Sequence, residues 1–170
     1  MTLYRKQALI PTYYLTYTDK VSYDEPLDAL RAGGADTAAF FEDLSKAEWD
    51  YRYAPGKWNL REVLLHIIDC ERVFGYRALH IARGDQSPLP GMDQNIYADH
   101  SEAARRSPIS LIAEYYTVRA STLALFESMS ETQWLREGTA NAVAFNPLSL
   151  AFIIAGHEIH HVEIAKERYL

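Results

Sequence analysis

Cysteine is almost absent from this sequence, since Cys70 is the only one in 170 residues. A lone thiol excludes an internal disulfide, so we expect a protein of the reducing cytoplasm. Basic runs are also lacking and the formal net charge is −6, which leaves nucleic-acid binding without an electrostatic basis. The apolar runs fall short of the ~20 residues that span a bilayer. Residues 1–23 lack the apolar stretch of a signal peptide. The sequence thus predicts neither a nucleic-acid nor a membrane partner.

Apolar side chains are plentiful, at 48% of the chain. At this length they can fill one core, so we expect a single domain over residues 1–170. No alternation of apolar and polar residues is long enough to indicate a strand, which predicts an all-α fold. Residues 1–23 show no helical period and are interpreted as an irregular arm packed over the domain. Its tyrosines are Tyr4, Tyr13, Tyr14, Tyr17 and Tyr23.

Four helices are predicted from their start signals. The first begins near Asp24-Glu25-Pro26, and Gly33-Gly34 within it either allows a close helix approach or breaks the helix. The second begins after Asn59, with Glu62 in capping-box position, and ends near Arg83. The third and fourth begin at Ser107-Pro108 and Asn146-Pro147, where a capping side chain precedes proline. The fourth runs to about Arg168.

An internal repeat indicates how these helices are connected. Residues 44–49 and 129–134 both carry serine followed three positions later by Glu or Gln, the capping-box pattern of a short helix. The chain therefore resembles two helical hairpins joined by a long connection over residues 84–107, of which residues 101–106 are expected to be helical. A connection of that length can return along a whole helix. We therefore predict a four-helix bundle with up-down-down-up topology, in which the second and fourth helices are antiparallel.

Three histidines are candidates for one divalent-metal site. His157 and His161 lie one turn apart on the fourth helix and share a face. In the predicted topology His66 of the second helix lies at a similar height. His160 points about 100° away from His161 and is interpreted as a supporting or surface residue. We expect His80 and His100 to be ordinary exposed residues.

Three imidazoles leave a coordination position free, which is typical of catalytic rather than structural zinc. A divalent ion with a free position can lower the pKa of bound water, polarise a carbonyl or hold a thiol in its ionised form. Asp69, one turn from His66, is a candidate to fix the tautomer of that ring, or is simply a solvated carboxylate. Cys70 is expected to be a buried, inert thiol.

The stretch from His157 to His161 also matches H-E-x-x-H, in which glutamate is the general base of a metalloprotease. The context is poor, because only nine residues follow and no strand is available to bind a peptide. Glu158 is by default an exposed helix-surface residue. Hydrolysis of a small molecule by metal-bound water, assisted by Glu158 or Asp69, remains an alternative. A second alternative is a sensor or interaction module that the metal only stabilises.

Several motifs carry a resemblance to a known family. They are Lys57-Trp58-Asn59, Glu62, His66, Asp69, Glu71, Arg77-Ala78-Leu79, Ala82-Arg83-Gly84-Asp85, Leu89-Pro90-Gly91-Met92-Asp93-Gln94-Asn95 and Ala155-Gly156-His157-Glu158-Ile159-His160-His161. From about Leu44 onward the chain is similar to the DinB/YfiT-like superfamily of metal-binding four-helix bundles. The resemblance implies zinc or nickel bound by His66, His157 and His161. It also implies a small-molecule substrate and a low-molecular-weight thiol such as bacillithiol or mycothiol. The leading hypothesis is therefore an enzyme that activates a small thiol for transfer to an electrophile. A homodimer is one form of assembly that the resemblance implies.

Overall fold

Helices make up most of the protein in the computed structural model, which describes residues 5–170. In chain order they are α1 (Leu15–Thr18), α2 (Pro26–Glu42), α3 (Lys46–Asp50), α4 (Leu60–Ala82), α5 (Gln94–Asp99), α6 (Pro108–Glu127), α7 (Glu131–Trp134) and α8 (Pro147–Arg168). Short 3-10 turns lie at Arg5–Gln7, Thr12–Tyr14 and Ala103–Arg105, and two strands, β1 (Gly138–Ala140) and β2 (Val143–Phe145), precede α8. The four long helices α2, α4, α6 and α8 correspond to the four predicted ones.

The core between these helices is apolar. Fully buried side chains come from every long helix and include Leu30, Leu64, Ile68, Leu111, Phe126, Phe152 and Ile153. Burial of such side chains is the main favourable contribution to folding. Within the described residues, none of the helices combines the length and the apolar character that a membrane crossing requires.

The helix starts follow the local signals in the sequence. The Asn59 side chain accepts a hydrogen bond from the Glu62 backbone N–H at 3.0 Å, and the Glu62 carboxylate accepts one from the Asn59 N–H at 2.8 Å. The same reciprocal capping box begins α3 at Ser45 and α7 at Ser130. These bonds satisfy backbone donors that the helix itself leaves unpaired.

Contacts at the helix ends define the topology of the bundle. The Tyr169 hydroxyl, just after α8, donates to the carbonyl of Trp58, just before α4, at 2.6 Å, so these helices are antiparallel. Arg61 at the start of α4 donates to the carbonyl of Arg106 before α6 at 2.7 Å, so α4 and α6 are parallel.

The remaining long helix, α2, completes the arrangement. Arg31 near its start lies 2.7 Å from Glu127 at the end of α6, which makes α2 and α6 antiparallel. Lys166 near the end of α8 lies over the ring of Phe40 near the end of α2, which makes α2 and α8 parallel. The predicted up-down-down-up four-helix bundle is therefore confirmed.

The long connection over residues 84–107 is more helical than predicted. Helical structure was expected only near residues 101–106, but α5 lies earlier in the segment. Asp93 caps α5, because its carboxylate accepts hydrogen bonds from the backbone N–H groups of Asn95 and Ile96 at 2.9 and 3.3 Å. A single capping residue before a six-residue helix gives no periodic pattern, which explains the omission.

A small β-hairpin corrects the expectation that the chain has no strands. β1 and β2 pair antiparallel, with Thr139 opposite Ala144. Asn141 and Ala142 in the turn both have positive φ, 50° and 61°. Three-residue strands are too short to show a detectable alternation.

Of the arm predicted over residues 1–23, the described part packs along α8 and contains short helical turns rather than purely irregular chain. The Asn146 side chain accepts a hydrogen bond from Leu9 N–H at 3.2 Å and donates one to the Gln7 carbonyl at 2.9 Å. Gly156 allows the closest approach, since a Cβ there would collide with the carbonyl oxygen of Tyr17. Tyr4 lies outside the described residues.

The Gly33-Gly34 pair does not break α2, which runs through both residues. A Cβ at Gly33 would lie 2.5 Å from Oε1 of Glu158, and one at Gly34 would lie 2.6 Å from Nη1 of Arg119. The two glycines therefore allow a close approach, in this case of two charged side chains that lie in the centre of the bundle.

Candidate metal centre

Three histidines from two helices meet between α4 and α8. Nε2 of His157 lies 3.2 Å from Nε2 of His66 and 3.1 Å from Nε2 of His161. One potential ligand atom from each of the three rings lies within 4.8 Å of the others. The one-turn spacing on α8 and the antiparallel packing of α4 against α8 together produce this cluster.

The donor set is compatible with a tetrahedral divalent ion. Nitrogen ligands lie about 2.0–2.1 Å from zinc, so two ligands of a tetrahedral site are about 3.3 Å apart. The separations of 3.1 and 3.2 Å match that value. Three ring nitrogens facing one another are also difficult to satisfy by hydrogen bonding alone, because a neutral imidazole carries only one N–H. The cluster therefore has the composition and spacing of a metal site.

Burial keeps these imidazoles in the neutral form that binds metals. It lowers the pKa of His66 to about 4. The pKa of His161 is lowered to about 3, first by burial and then by the neighbouring His66 and His160. Burial, followed by the electrostatic effect of His161 and His66, also holds the pKa of His157 well below its ordinary value. Metal binding at neutral pH would therefore displace no proton from a charged ring.

Aromatic rings surround the cluster. The Trp58 ring lies 4.9 Å from the His66 ring, and the Tyr17 ring lies 5.3 Å from the His157 ring, centroid to centroid. Phe74 lies 6.3 Å from His157. No local pattern indicated a role for Tyr17, because only the packing of the arm on α8 brings Tyr17 next to His157. These rings limit the access of water to the histidines.

A cavity of about 350 Å³ opens beside the cluster, with His157 in its wall. Its walls combine rings of the arm, such as Tyr14 and Tyr17, with Phe74 and Arg77 of α4. Among the described residues that line it, none is Asp or Glu. The volume is within the range of small-molecule sites.

Asp69 lies one turn from His66 on α4, and its carboxylate pairs with Arg72. Its carboxylate lies 3.6 Å from the Arg72 guanidinium, and the recorded polar contacts of the His66 ring go to His157 and to Sγ of Cys70, the latter at 3.7 Å. Burial raises the pKa of Asp69, against the opposing effect of Arg72. In this structure the carboxylate pairs with arginine, and its suggested role on the His66 ring stays a prediction.

Glu158 is not the exposed residue that the sequence suggested, because its side chain is 0% exposed. The carboxylate accepts hydrogen bonds from Arg119 at 2.8 and 3.1 Å and from the Tyr115 hydroxyl at 2.5 Å. Burial raises the pKa of Glu158, while Arg119 opposes the rise. Although the sequence matches the H-E-x-x-H pattern, the Glu158 carboxylate is bound to Arg119 and Tyr115 in the centre of the bundle. It is not placed as a base beside the histidines.

Arg119 organises this buried network, and sequence reasoning missed it. The guanidinium also donates to both oxygens of Glu71, at 2.8 and 2.9 Å, and to the Leu30 carbonyl at 2.6 Å. Burial acts to lower the pKa of Arg119, but Glu158 and Glu71 raise it well above its ordinary value. The one available signal was a charged residue directly beside the apolar stripe of the third predicted helix.

The other candidate residues lie outside the three-histidine cluster. The His160 ring contacts Tyr17 at 5.0 Å and His161 at 5.2 Å. Cys70 is buried as expected, and burial raises the pKa of its thiol to about 12. His100 is exposed, but His80 is not, since only 7% of its side chain is accessible and its Nε2 lies 2.9 Å from the Ser87 carbonyl oxygen. The chain after α4 folds back over His80, which the sequence did not indicate.

The protein belongs to the DinB superfamily, whose family model matches residues 29–165. The fold and the histidine cluster had already defined the class, a helical bundle with a candidate metal centre. No curated protein matches the sequence.

Solved structures share the fold at low sequence identity. YfiT from Bacillus subtilis, described as a probable metal-dependent hydrolase with an unusual four-helix bundle topology, is 17% identical with a TM-score of 0.74, over 88% of this chain and 84% of its own. YjoA, a DinB-like protein from Bacillus subtilis, is 20% identical with a TM-score of 0.59, over 84% and 87%. A mycothiol-dependent maleylpyruvate isomerase is 15% identical with a TM-score of 0.67, over 85% of this chain but 59% of the isomerase chain.

Proposed function

We propose that the protein is a metal-dependent enzyme that activates a small thiol for transfer to an electrophile, with His66, His157 and His161 as the ligands of zinc or nickel. The proposal rests on one observation: the histidine cluster lies next to a cavity, because His157 is both a member of the cluster and part of the cavity wall. Its setting is the cytoplasm, where low-molecular-weight thiols are kept reduced. The description of one structural neighbour as mycothiol-dependent is consistent with a thiol partner.

A divalent ion in this site supplies Lewis acidity, which favours the ionised form of a thiol without a protein base. The protein's own part is to hold three neutral imidazoles in place and to restrict water through the rings of Trp58, Tyr17 and Phe74. Burial, followed by a hydrogen bond with Tyr13, raises the pKa of Tyr17, so the hydroxyl at the cavity wall stays protonated at neutral pH.

Hydrolysis of a small molecule is the second candidate, and the description of YfiT as a probable metal-dependent hydrolase favours it. Hydrolysis is assisted by a base that takes a proton from water. The two carboxylates considered for this task, Asp69 and Glu158, are paired with Arg72 and Arg119 respectively. The lack of an acidic residue among the described lining of the cavity favours thiol chemistry over hydrolysis.

The discriminating experiment is a thiol-dependence screen on the metal-loaded protein. Monochlorobimane is supplied with bacillithiol, mycothiol, glutathione or cysteine in turn, and conjugate formation is followed by fluorescence. We expect turnover with one thiol and its loss in His66→Ala, whereas His100→Ala, an exposed residue, serves as the matched control. Consumption of ester or amide substrates at a rate independent of thiol would instead support the hydrolase. Turnover that survives His66→Ala would contradict both.

A further inference from the structure

Arg77 on α4 is a buried cation without an anionic partner. The residue is only 4% exposed. Its Nη2 donates to the Pro90 carbonyl at 3.1 Å, and its Nε is buried without a hydrogen-bond partner. Within residues 5–170, no carboxylate oxygen lies within 4.0 Å of its guanidinium nitrogens, although most of the other buried or half-buried arginines have one. Its contact with the Phe74 ring, 5.6 Å from Cζ to the centroid, supplies little compensation.

This arrangement is energetically unfavourable for the protein alone. Taking a charge out of water is strongly unfavourable unless a counter-charge and hydrogen bonds offset it. Arg119, in the same bundle, has two carboxylates at 2.8 Å. Arg77 has no comparable carboxylate partner among the described residues, and it lies in the wall of the cavity that also reaches His157.

The cavity around Arg77 is suited to a small amphipathic anion. Val73, Phe74 and Met92 offer apolar wall, and the cavity also reaches His157. Tyr14 adds a hydroxyl beside Arg77, and burial raises the pKa of this phenol, although the charge of Arg77 and a hydrogen bond with it oppose the rise. The neutral phenol and the cation can both donate hydrogen bonds to a single carboxylate.

We infer that Arg77 binds the carboxylate of the small-molecule substrate, whose apolar part packs against Phe74 and whose reactive end lies toward His157. This inference rests on the proposed function, in taking the cavity as the substrate site. It narrows the substrate class to carboxylates with a small apolar or aromatic body. Arg77 is then a specificity-determining residue that positions the substrate beside the histidine cluster.

The test compares two probes of the same shape, benzoate and benzamide, which differ in charge. Binding to the full-length, metal-loaded protein is measured by calorimetry or ligand-observed NMR, and again after chelation of the metal. We expect benzoate to bind about tenfold more tightly than benzamide, as for one hydrogen-bonded charge pair. Arg77→Gln should abolish the difference, and Arg77→Lys should retain part of it because the charge remains. Arg83→Gln, which changes an exposed arginine directly after α4, should retain all of it.

The outcomes separate this inference from the proposed function. Equal binding of the two probes, or no binding of either, overturns the inference, as does a preference that survives Arg77→Gln. A preference that disappears on chelation but not in Arg77→Gln also overturns it, because the carboxylate then binds at the metal. The proposed function fails separately, if metal content or thiol turnover does not depend on His66.

Discussion

The Nε2 atoms of His66 and His157 lie 3.2 Å apart although 91 residues separate them in the sequence. The contact exists because α4 and α8 run antiparallel, and the long connection between α4 and α6 makes that arrangement possible. The topology of the bundle thus brings two candidate metal ligands from distant parts of the sequence together. His161, one turn after His157, adds the third nitrogen at 3.1 Å.

Removal of Arg119 should destabilise the fold severely. In Arg119→Met the carboxylates of Glu71 and Glu158, 2% and 0% exposed, lose their only cationic partner among the described residues. Breaking a buried ion pair from one side costs about 3–5 kcal/mol. We expect a loss of that size in the free energy of unfolding, measured by urea denaturation. Arg31→Met is the matched control, because its pair with Glu127 is about half exposed on both sides and should contribute less than about 1 kcal/mol. Equal losses in the two variants would show that the buried network does not support the bundle.

Two glycine-to-alanine changes in long helices should have opposite effects. Alanine is favoured over glycine in a helix interior by about 1 kcal/mol. At Gly75 of α4 nothing lies within 4 Å of the added Cβ, so Gly75→Ala should raise the melting temperature. At Gly33 of α2 the Cβ would lie 2.5 Å from Oε1 of Glu158, so Gly33→Ala should lower it despite the better propensity. Thermal unfolding followed by circular dichroism checks both, and a stabilising Gly33→Ala would refute the close packing of α2 on the network.

The metal-free protein should lose stability as the pH falls below neutrality. In the unfolded chain His66 takes up a proton near its ordinary pKa of about 6.5, but in the folded protein burial delays protonation until about pH 4. The unfolded state therefore binds more protons between these values, and the stability present above pH 6.5 declines as the pH falls toward 4. For His66 alone the expected loss between pH 7 and pH 5 is about 2 kcal/mol.

The measurement is urea denaturation of the chelated protein at pH 7 and pH 5, compared with His66→Gln. The raised pKa values of Asp69 and Glu158 have the opposite effect on stability, which they increase as the pH falls through their own titration range. Both proteins contain these two groups, so their effect cancels when the two pH-dependent losses are compared. We expect a smaller loss in the variant. An identical loss in wild type and variant would mean that His66 is not held neutral by burial.

Local signals predicted much of the fold, and long-range packing explains what they missed. Capping boxes such as that of Asn59 and Glu62 depend on residues three apart, so the helix starts could be predicted. The pairing of His157 with His161 depends only on helical period. His66 could be included because one long connection restricts how the helices run.

The buried network and the cavity were not accessible to the same reasoning. Glu158 is buried because Arg119 of another helix reaches it, and helical period alone gives no information on such a contact. Tyr17 lies over His157 because Gly156 lets the arm approach α8 closely. Arg77 is part of a motif that carries the family resemblance, but nothing in that motif indicates its burial without an anion.

The central claim, a divalent metal bound by His66, His157 and His161, is tested most directly by metal analysis of the purified protein and its single variants. We expect about one divalent ion per chain in wild type and most of it lost in His66→Ala and in His161→Ala. His160→Ala is the matched control, since it removes a neighbouring imidazole of the same helix that lies outside the three-nitrogen cluster, and it should retain the metal. Retention of the metal in His66→Ala, or equal loss from His160→Ala and His161→Ala, would contradict the account.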